Sequence, residues 1–198
     1  MQYTQVKADA FQTMQMNAGI MVDTFTPETG VIGNILGATT GGLAFAANPT
    51  FNDIGEDVDN VPPNTWQLKR IVSYDPAISG TFVSVSAALA KKLNGAGKYG
   101  TTGTGTTTED TTHIIPSHEL TEDDFEDFWV IGDYSDKNTG STAGYVAIHL
   151  KNALNIGGFQ WQTSKDAKGQ FSFDFHGHYD LENIDEVPFE IYVKAGTN

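Results

Sequence analysis

Apolar and polar residues alternate one by one near the C-terminus of the chain. In the stretch QFSFDFHGHYD, residues 170–180, aromatic residues stand at positions 171, 173, 175 and 179, and the residues between them are mostly polar. A period of two is the period of a β-strand, whose successive side chains point to opposite faces of a sheet. The stretch therefore predicts a strand with one aromatic, buried face and one polar face.

The rest of the C-terminal third carries the same signal. Strand-forming runs at 128–134, 145–154, 159–164 and 187–196 are separated by segments rich in Gly, Asn, Asp and Lys. The residues predicted to face the core in these runs are Val146, Ile148, Leu150, Phe159, Trp161, Phe189, Ile191 and Val193. We expect an antiparallel meander with one buried face.

The N-terminal half predicts shorter or more irregular strands. Residues 19–25 predict a strand followed by a turn, and the glycine-broken segment 31–51 predicts one or two strands with bulges. The segment 66–85 predicts a pair of strands joined by a turn at Asp75 and Pro76, because Asp and Pro are both favoured in turns.

One segment predicts a long helix. Residues 84–94 are rich in Ala, Leu and Lys, a serine is available to cap the start, and Gly95 stands where a helix C-terminus favours glycine. Leu89 and Leu93 are four residues apart, so they lie on one side of the helix and should pack on the sheet.

Together these elements predict a mainly β protein, an antiparallel β-barrel or β-sandwich with one flanking α-helix and long loops. A length of 198 residues suits a single domain spanning residues 1–198, with an N-terminal arm at 1–17. The Gly- and Thr-rich segment 95–112 has little to bury, so it predicts a long exposed loop or a flexible hairpin.

Charge excludes one class of function. The chain has 25 acidic and 11 basic residues and a formal net charge of −14, the wrong sign for a protein that neutralises phosphates to hold nucleic acid. The acidic run 118–128 and the basic run 66–71 are either solvated loops or complementary subunit contacts. Within the acidic run, Thr121 and Asp124 have the spacing of a capping box and predict a short helical turn.

Cysteine and hydropathy restrict the chemistry further. The chain has no cysteine, which excludes disulfides, thiolate metal sites and cysteine nucleophiles. No apolar run approaches the roughly 20 residues of a membrane helix, and the N-terminus lacks the basic start and apolar core of a signal peptide. We expect a soluble protein that is not exported by a cleaved signal and does not interact with membranes.

The sequence contains none of the common enzyme motifs. Phosphate-binding loops, dinucleotide fingerprints, calcium loops and the serine nucleophile elbow are all missing. His176 and His178 would share one side of a strand with Asp174, where they could bind a metal or act as a base, although a plain polar face is the simpler interpretation. The sequence predicts a protein that is not an enzyme, with no catalytic, cofactor-binding or metal site.

A series of phrases along nearly the whole chain resembles one family, the major tail tube proteins of long-tailed (siphovirus-type) bacteriophages of Gram-positive bacteria. The phrases that carry the resemblance are NAGIMVDTF, GVIGNILGATTGG, DIGEDVDNVP, LKRI, SGTFVSVSAALAKKL, THIIP, DFWVIGDYSD, AIHLKNALNIGGFQWQTSKDAKGQFSFDF and DEVPFEIYVKAGT. Their order and coverage, rather than any single phrase, support the resemblance. The Gly- and Thr-rich segment 95–112 is longer than the loop that the family usually has there.

The resemblance implies a structural virion protein made in the bacterial host cytoplasm. Six copies would close into a ring, and rings would stack into a hollow tail tube that conducts DNA into the host. The implied partners are further copies of the chain, the tape-measure protein, and the tail terminator and baseplate proteins. Double-stranded DNA would pass through as non-specific cargo, and no cofactor is implied.

Three groups of residues are candidates for the surfaces of such an assembly. The candidate polar sheet face, lining the lumen or the exterior, is Gln160, Gln162, Gln170, Ser172, Asp174, His176 and His178. The candidate subunit contacts are Val6, Phe11, Met14, Met16, Asp57, Asp59, Lys69 and Arg70. The candidate ring-stacking loop contains Tyr99, Thr102, Thr106, Glu109 and Asp110.

A binding module is the main alternative. A β-barrel that holds a carbohydrate or another ligand would expose aromatic residues such as Trp129, Trp161 and Tyr179. The alternation of these aromatics with polar residues predicts instead that they face the core. An enzyme site built on Asp174, His176 and His178 is a weaker alternative.

Overall fold

The fold is known from a computed structural model, which describes residues 14–15, 17–102, 111–134 and 143–196. As the sequence predicts, the described residues are mainly antiparallel β-strands with one α-helix. The strands are β1 Ile20–Val22, β2 Phe25–Thr26, β3 Val31–Ile32, β4 Thr39–Asp53, β5 Lys69–Phe82, β6 Gly97–Thr102, β7 Thr111–Pro116, β8 Glu126–Asp133, β9 Tyr145–Asn155, β10 Gln160–Gln162, β11 Gln170–Gly177 and β12 Phe189–Lys194. The helix, α1, spans Ala87–Asn94.

Helix α1 confirms the prediction and corrects its start. Ser86 is extended and caps the helix, because its hydroxyl accepts a 3.1 Å hydrogen bond from the backbone N–H of Leu89. Ser84 lies outside the helix, and its hydroxyl instead accepts from the N–H of Ala38. Gly95 follows the helix with φ 80°, a left-handed conformation that glycine adopts without strain.

Two local predictions in the middle of the chain are also confirmed. Thr121 and Asp124 form a reciprocal capping box at the short 3-10 helix Glu122–Asp124. In the Gly- and Thr-rich segment, β6 pairs with β7 as an antiparallel hairpin, which is one of the two predicted alternatives. Residues 103–110 at its tip lie outside the described residues.

The strand pair predicted at 66–85 is wrong. Asp75 and Pro76 do not form a turn but lie in the middle of β5, which is continuous over 14 residues and pairs with β4 along its length. On its other side β5 is paired to β11 only as far as Ala77. Pro76 is the next residue, so it lies where the strand has one neighbour, a position that tolerates proline.

The predicted meander is wrong in its order. The large sheet runs β1-β8-β9-β11-β5-β4, with β10 added beside β11 and β12 beside β9. The last strand thus returns to β9, whereas β11 reaches across to β5. One edge of β9 accommodates both neighbours because its first part pairs with β12 and its last three residues pair with β11. Between the two parts Asn152 has φ 48°, which allows the strand to bend.

The large sheet is a folded sandwich rather than a barrel. Its end strands in the described chain, β1 and β4, are not paired with each other. The half around β5 and β11, the half around β8 and β9, and helix α1 all contribute side chains to one buried cluster. This main buried cluster contains Met21, Ile78, Phe82, Leu89, Leu93, Phe128, Leu150, Ala153, Phe173 and Phe175. The burial of Leu89 and Leu93 confirms that the helix packs on the sheet.

A second buried cluster lies on the opposite face of β8 and β9. It contains Val22, Phe25, Trp129, Ile131, Tyr145 and Ala147. Phe128 and Trp129 are adjacent on β8, so they enter the two different clusters. This strand therefore has an uninterrupted apolar run, because both of its faces are buried.

Several residues that the sequence predicts in the core are not buried. Ala147 is fully buried, whereas Val146 and Ile148 are only half-buried. Ile191 and Val193 are exposed, because β12 is an edge strand whose other face, through Tyr192, packs on the second cluster. Phe159 and Trp161, also predicted to be buried, are exposed at the short edge strand β10.

No helix in the described part of the chain is long and apolar enough to cross a membrane.

Candidate functional site

A continuous polar surface covers the outer side of four strands, β10, β11, β5 and β4. Direct partners in an antiparallel pair lie on the same face, so the register defines its members. They are Gln160, Gln162, Gln170, Ser172, Asp174, His176, Thr81, Ser79, Ala77, Asp75, Ser73, Thr40, Ala44, Ala46, Asn48 and Thr50. We call this surface the polar face.

The polar face combines small uncharged side chains with a deficit of cations. Up to the register shift between Thr50 and Phe51, its members include no Lys, no Arg and no large apolar residue, and its charged groups are Asp75, Asp174 and His176. Beyond that shift the β4–β5 pair carries the exposed residues Phe51, Ile71, Lys69 and Arg70. The β4 members are exposed, whereas the alternate residues Leu43 and Phe45 are half-buried against the main core. The sequence signal for this surface was the alternation in 170–180, but its extension over β5 and β4 depended on the pairing.

His176 is held between two carboxylates on the polar face. Its Nδ1 lies 2.7 Å from Asp75 Oδ1 and its Nε2 lies 3.3 Å from Asp174 Oδ2. Burial disfavours the charged imidazolium, but hydrogen bonds to both carboxylates and their negative charge outweigh it, so the pKa of His176 is raised. The contact with Asp75 links β11 to β5, and the contact with Asp174 lies within β11.

His178 does not share the environment of His176, contrary to the idea of a joint site. It follows the end of β11, where its Nδ1 lies 3.0 Å from the carbonyl of Asn152 and its ring meets Phe125 edge to face at 5.2 Å. Of the predicted polar-face residues it is therefore the one that leaves the surface. Among the described residues no group of three or more His, Asp and Glu side chains could hold a metal ion.

A contrasting surface lies on the outer side of β8, β9 and β12, where the hairpin of β2 and β3 packs on the second cluster. Phe25 of this hairpin meets Trp129 at 5.4 Å and Tyr145 at 5.2 Å between ring centroids, both edge to face. The hydroxyl of Tyr145 donates a 2.6 Å hydrogen bond to the carbonyl of Pro27. We call this surface the covered face.

The covered face also has a histidine–carboxylate pair. His149 stacks on Trp129 at 4.1 Å, and its Nε2 lies 3.0 Å from Asp127 Oδ2. The pKa of Asp127 is lowered by the hydrogen bond to His149 first, and further by the N–H of Asn152 and nearby positive charge, against the effect of burial. Nearby, Lys151 bridges Glu186 and Glu190.

The candidate subunit contacts in the long β4–β5 hairpin are exposed. Asp57 and Asp59 lie in the loop between the strands, and Lys69 and Arg70 lie at the start of β5. Lys69 donates to the side-chain carbonyl of Asn64 at 3.3 Å. This arrangement leaves the four charged groups accessible to another molecule.

The other candidate contacts are only partly described. Met14 is exposed at the start of the described chain, whereas Val6, Phe11 and Met16 lie outside the described residues.

In the candidate stacking loop, Tyr99 is exposed on β6, and the backbone of Thr102 ends that strand. Thr106, Glu109 and Asp110 lie outside the described residues. Any role of the loop in stacking stays a prediction.

One structural residue that the sequence did not reveal is Asn155. Only 4% exposed, it lies at the end of β9, where its amide donates to the carbonyls of Leu93 and Gly158 and its Oδ1 accepts a 2.8 Å bond from the N–H of Asp174. It thereby joins the helix, the β9–β10 turn and β11. An asparagine in a turn-like Asn-Ile-Gly-Gly segment gives no sign of such burial.

Comparison with known proteins does not identify the chain. No protein-family model matches it, and no curated protein sequence matches it significantly.

Proposed function

We propose that this protein is a tail-tube subunit, which self-associates into six-membered rings that stack into the hollow tail tube of a long-tailed bacteriophage. The observation that carries the proposal is the polar face, a broad sheet surface with no Lys or Arg. In the proposed tube this surface lines the lumen. The phrases shared with the tail tube family provide separate support.

A channel for DNA requires such a wall. Each Lys or Arg on the lumen would form a contact with a phosphate and release counterions, so the duplex would be retained during passage. Short polar side chains carry no positive charge to neutralise phosphates, and the carboxylates of Asp75 and Asp174 repel them. The net charge of −14 per copy favours passage in the same way.

The dimensions of the polar face are compatible with this role. Neighbouring strands are about 4.8 Å apart, so four strands form an arc of about 19 Å per copy. Six copies, the number that the resemblance implies, would give a wall of about 115 Å in circumference and about 37 Å in diameter. The two grooves of a DNA duplex are each about 8 Å deep, about 16 Å together. A channel about 37 Å wide is more than twice that, so it admits a duplex.

Ring closure would also cover the edges of the sheet. The end strand β4 is 15 residues long and has a partner on one side only among the described strands. A long, unpaired edge is prone to uncontrolled pairing in a monomer. Pairing between copies in a closed ring satisfies it.

The test is negative-stain electron microscopy of the purified protein over a concentration series, with analytical ultracentrifugation alongside. We expect six-fold rings or hollow tubes whose abundance rises with concentration. Purified protein that stays monomeric throughout, including after seeding with preformed tail-tip complexes, would contradict the proposal.

A ligand-binding module is the second candidate, supported by one observation. Trp161 is 64% exposed and stacks in parallel on Phe171, which holds its ring as a flat platform. Such a platform can bind a sugar ring, whereas Trp129 is buried and Tyr179 accepts a hydrogen bond from the N–H of Tyr74. Saturable binding of soluble glycans that is lost in Trp161→Ala, by a protein that does not assemble, would favour this candidate.

A further inference from the structure

The turn between β10 and β11 forms an exposed basic and aromatic projection. Lys165 and Lys168 are exposed in this turn, and neither forms an ion pair among the described residues. Asp166 lies between them in the same turn, so two lysines and one aspartate give the turn a net charge of +1. Trp161 is exposed in β10, close to the start of the turn, and Phe159 is exposed just before β10. We call Lys165, Lys168, Phe159 and Trp161 the basic tip.

Most other lysines in the described chain are already engaged. Lys91, Lys92 and Lys151 are paired with carboxylates, and Lys69 contacts Asn64. In a chain of net charge −14, the basic tip is thus an unusual surface on which two free cations and two exposed aromatic rings occur together.

An acidic groove with apolar walls lies elsewhere on the molecule. It encloses about 730 Å³, and its lining includes Glu122, Phe125, Tyr179, Asp180, Leu181 and Glu182. Leu181 is 93% exposed, and none of the three carboxylates forms an ion pair among the described residues. An exposed leucine beside aromatic walls favours an apolar occupant, and the carboxylates favour a cationic one. We call this site the acidic groove.

We propose that the basic tip of one copy docks in the acidic groove of the next copy. Trp161 would pack against Leu181 and Phe125, and Lys165 and Lys168 would face the carboxylates of the groove. This contact rests on the proposed self-association and names the surfaces that carry part of it.

The position of the two surfaces requires a second copy. The basic tip precedes Gln170 at the start of β11, and the acidic groove follows Gly177 at its end. Eight residues of β-strand at about 3.4 Å each separate them by about 27 Å. One molecule cannot bring its own tip into its own groove, so the contact joins two copies, and in the proposed assembly it runs head-to-tail from each copy to the next.

Charge explains why the contact must be local. Copies with a net charge of −14 repel each other at long range, so association depends on complementary patches and buried apolar area. Docking the basic tip neutralises carboxylates in the groove and removes Trp161 and Leu181 from water. No other partner has to be assumed, because both surfaces belong to the same chain.

The test uses charge reversal on each surface. One variant carries Lys165→Glu and Lys168→Glu, and the other carries Glu122→Lys and Glu182→Lys. Each variant alone opposes like charges across the contact, so we expect its sedimenting fraction to fall at least fivefold. When the two variants are mixed, the acidic tip of the first variant can dock in the basic groove of the second. The basic tip of the second can likewise dock in the acidic groove of the first, so assembly should return to near the wild-type level.

Glu28→Lys is the matched control, because Glu28 is an exposed carboxylate in the β2–β3 turn, outside both surfaces, and this variant should assemble as the wild type does. Wild-type assembly by both reversed variants would overturn this contact and leave the proposed function intact. Loss of assembly in both variants without recovery on mixing would also overturn it. A wild-type protein that never assembles would overturn the proposed function and this contact together.

A cross-link provides a second readout. The chain has no cysteine, so Ser164→Cys at the tip and Asn183→Cys beside the groove introduce the only two thiols. Mild oxidation of the double variant should yield a ladder of disulfide-linked multimers, whereas each single variant should stay monomeric, because it places only one thiol at the contact. Failure of the folded double variant to form the ladder while it assembles would contradict the head-to-tail contact.

Discussion

The covered face and the polar face are two outer surfaces of the same folded sheet, and they are built in opposite ways. The covered face buries aromatic residues such as Trp129 and Tyr145 beneath the β2–β3 hairpin. The polar face, carried by β10, β11, β5 and β4, presents Ser, Thr, Gln, Asn and Ala to the outside. One face is completed within the chain, and the other is left open.

This difference between the two faces indicates that the covered face serves stability and that the polar face serves the proposed function. Residues of the covered face contribute apolar burial, so changes there should act on folding. Residues of the polar face bury little, so a role in folding does not account for their uniform chemistry. The absence of Lys and Arg from the polar face is the property that a DNA channel needs.

We expect the largest loss of stability when the Trp129 ring is removed from the covered face. Trp129→Ala removes contacts with Phe25, His149 and Tyr192 and should lower the free energy of unfolding by about 3–5 kcal/mol. Urea denaturation followed by circular dichroism measures the change. Trp161→Ala is the matched control and should cost less than about 1 kcal/mol, because that ring is largely in solvent. Equal losses in the two variants would contradict the burial difference.

We expect the second-largest loss of stability at Asn155, where the two halves of the sheet join. Asn155→Ala leaves two carbonyls and the N–H of Asp174 without their side-chain partner, so the free energy of unfolding should fall by about 2–3 kcal/mol. The same urea experiment applies. Asn48→Ala on the polar face is the control, and we expect a change within about 0.5 kcal/mol. A larger loss at Asn48 than at Asn155 would reverse the comparison.

Cysteine labelling sharpens the proposed role of the polar face. Ser172→Cys introduces a single thiol at an exposed polar-face position of a cysteine-free chain. In assembled tubes we expect its reaction with a bulky polymer maleimide to slow by roughly tenfold or more, an added barrier of about 1.4 kcal/mol. A small maleimide should still react, since it can enter the channel. Unchanged reactivity with the bulky reagent after assembly would place Ser172 outside the lumen.

The smallest expected effect distinguishes the histidine–carboxylate pairs of the two faces by pH. The pKa of His176 is raised, so its contribution to stability is complete below the unfolded value of about 6.5 and is lost as pH rises through the folded pKa. The contribution should stay under about 1 kcal/mol, because Asp75 and Asp174 are well exposed and screened. Urea midpoints of wild type and His176→Gln should therefore converge at alkaline pH.

The corresponding carboxylate of the covered face should behave in the opposite sense. The pKa of Asp127 is lowered, so its contribution is present above the unfolded value of about 3.9 and is lost as pH falls through the folded pKa. Urea midpoints of wild type and Asp127→Asn should converge in acid. A gap between wild type and His176→Gln that widens with pH, or one for Asp127→Asn that widens in acid, would contradict these assignments.

Local patterns predicted local structure well. The serine cap, the glycine after α1 and the capping box at Thr121 depend on neighbouring residues alone, so the sequence was sufficient for them. The alternation in 170–180 also placed Phe173 and Phe175 in the core and Ser172 on the opposite face.

Predictions failed where pairing decided the outcome. Asp75 and Pro76 have turn chemistry, yet β4 pairs across them and keeps the strand extended. Ile191 and Val193 alternate as core residues do, but β12 is an edge strand and none of the described residues covers that side. Asn155 gave no signal, because its burial arises from contacts with distant elements.

The class of fold, the place of the helix and a polar strand face without Lys or Arg could all be predicted from the residues themselves. These are properties of residue identity and short-range periodicity. The strands that extend the polar face, the face that the β2–β3 hairpin covers, and the surfaces at opposite ends of β11 became evident from the folded chain alone. A strand leaves half of its hydrogen bonds and one of its faces to partners far away in the chain, so short-range patterns do not specify them.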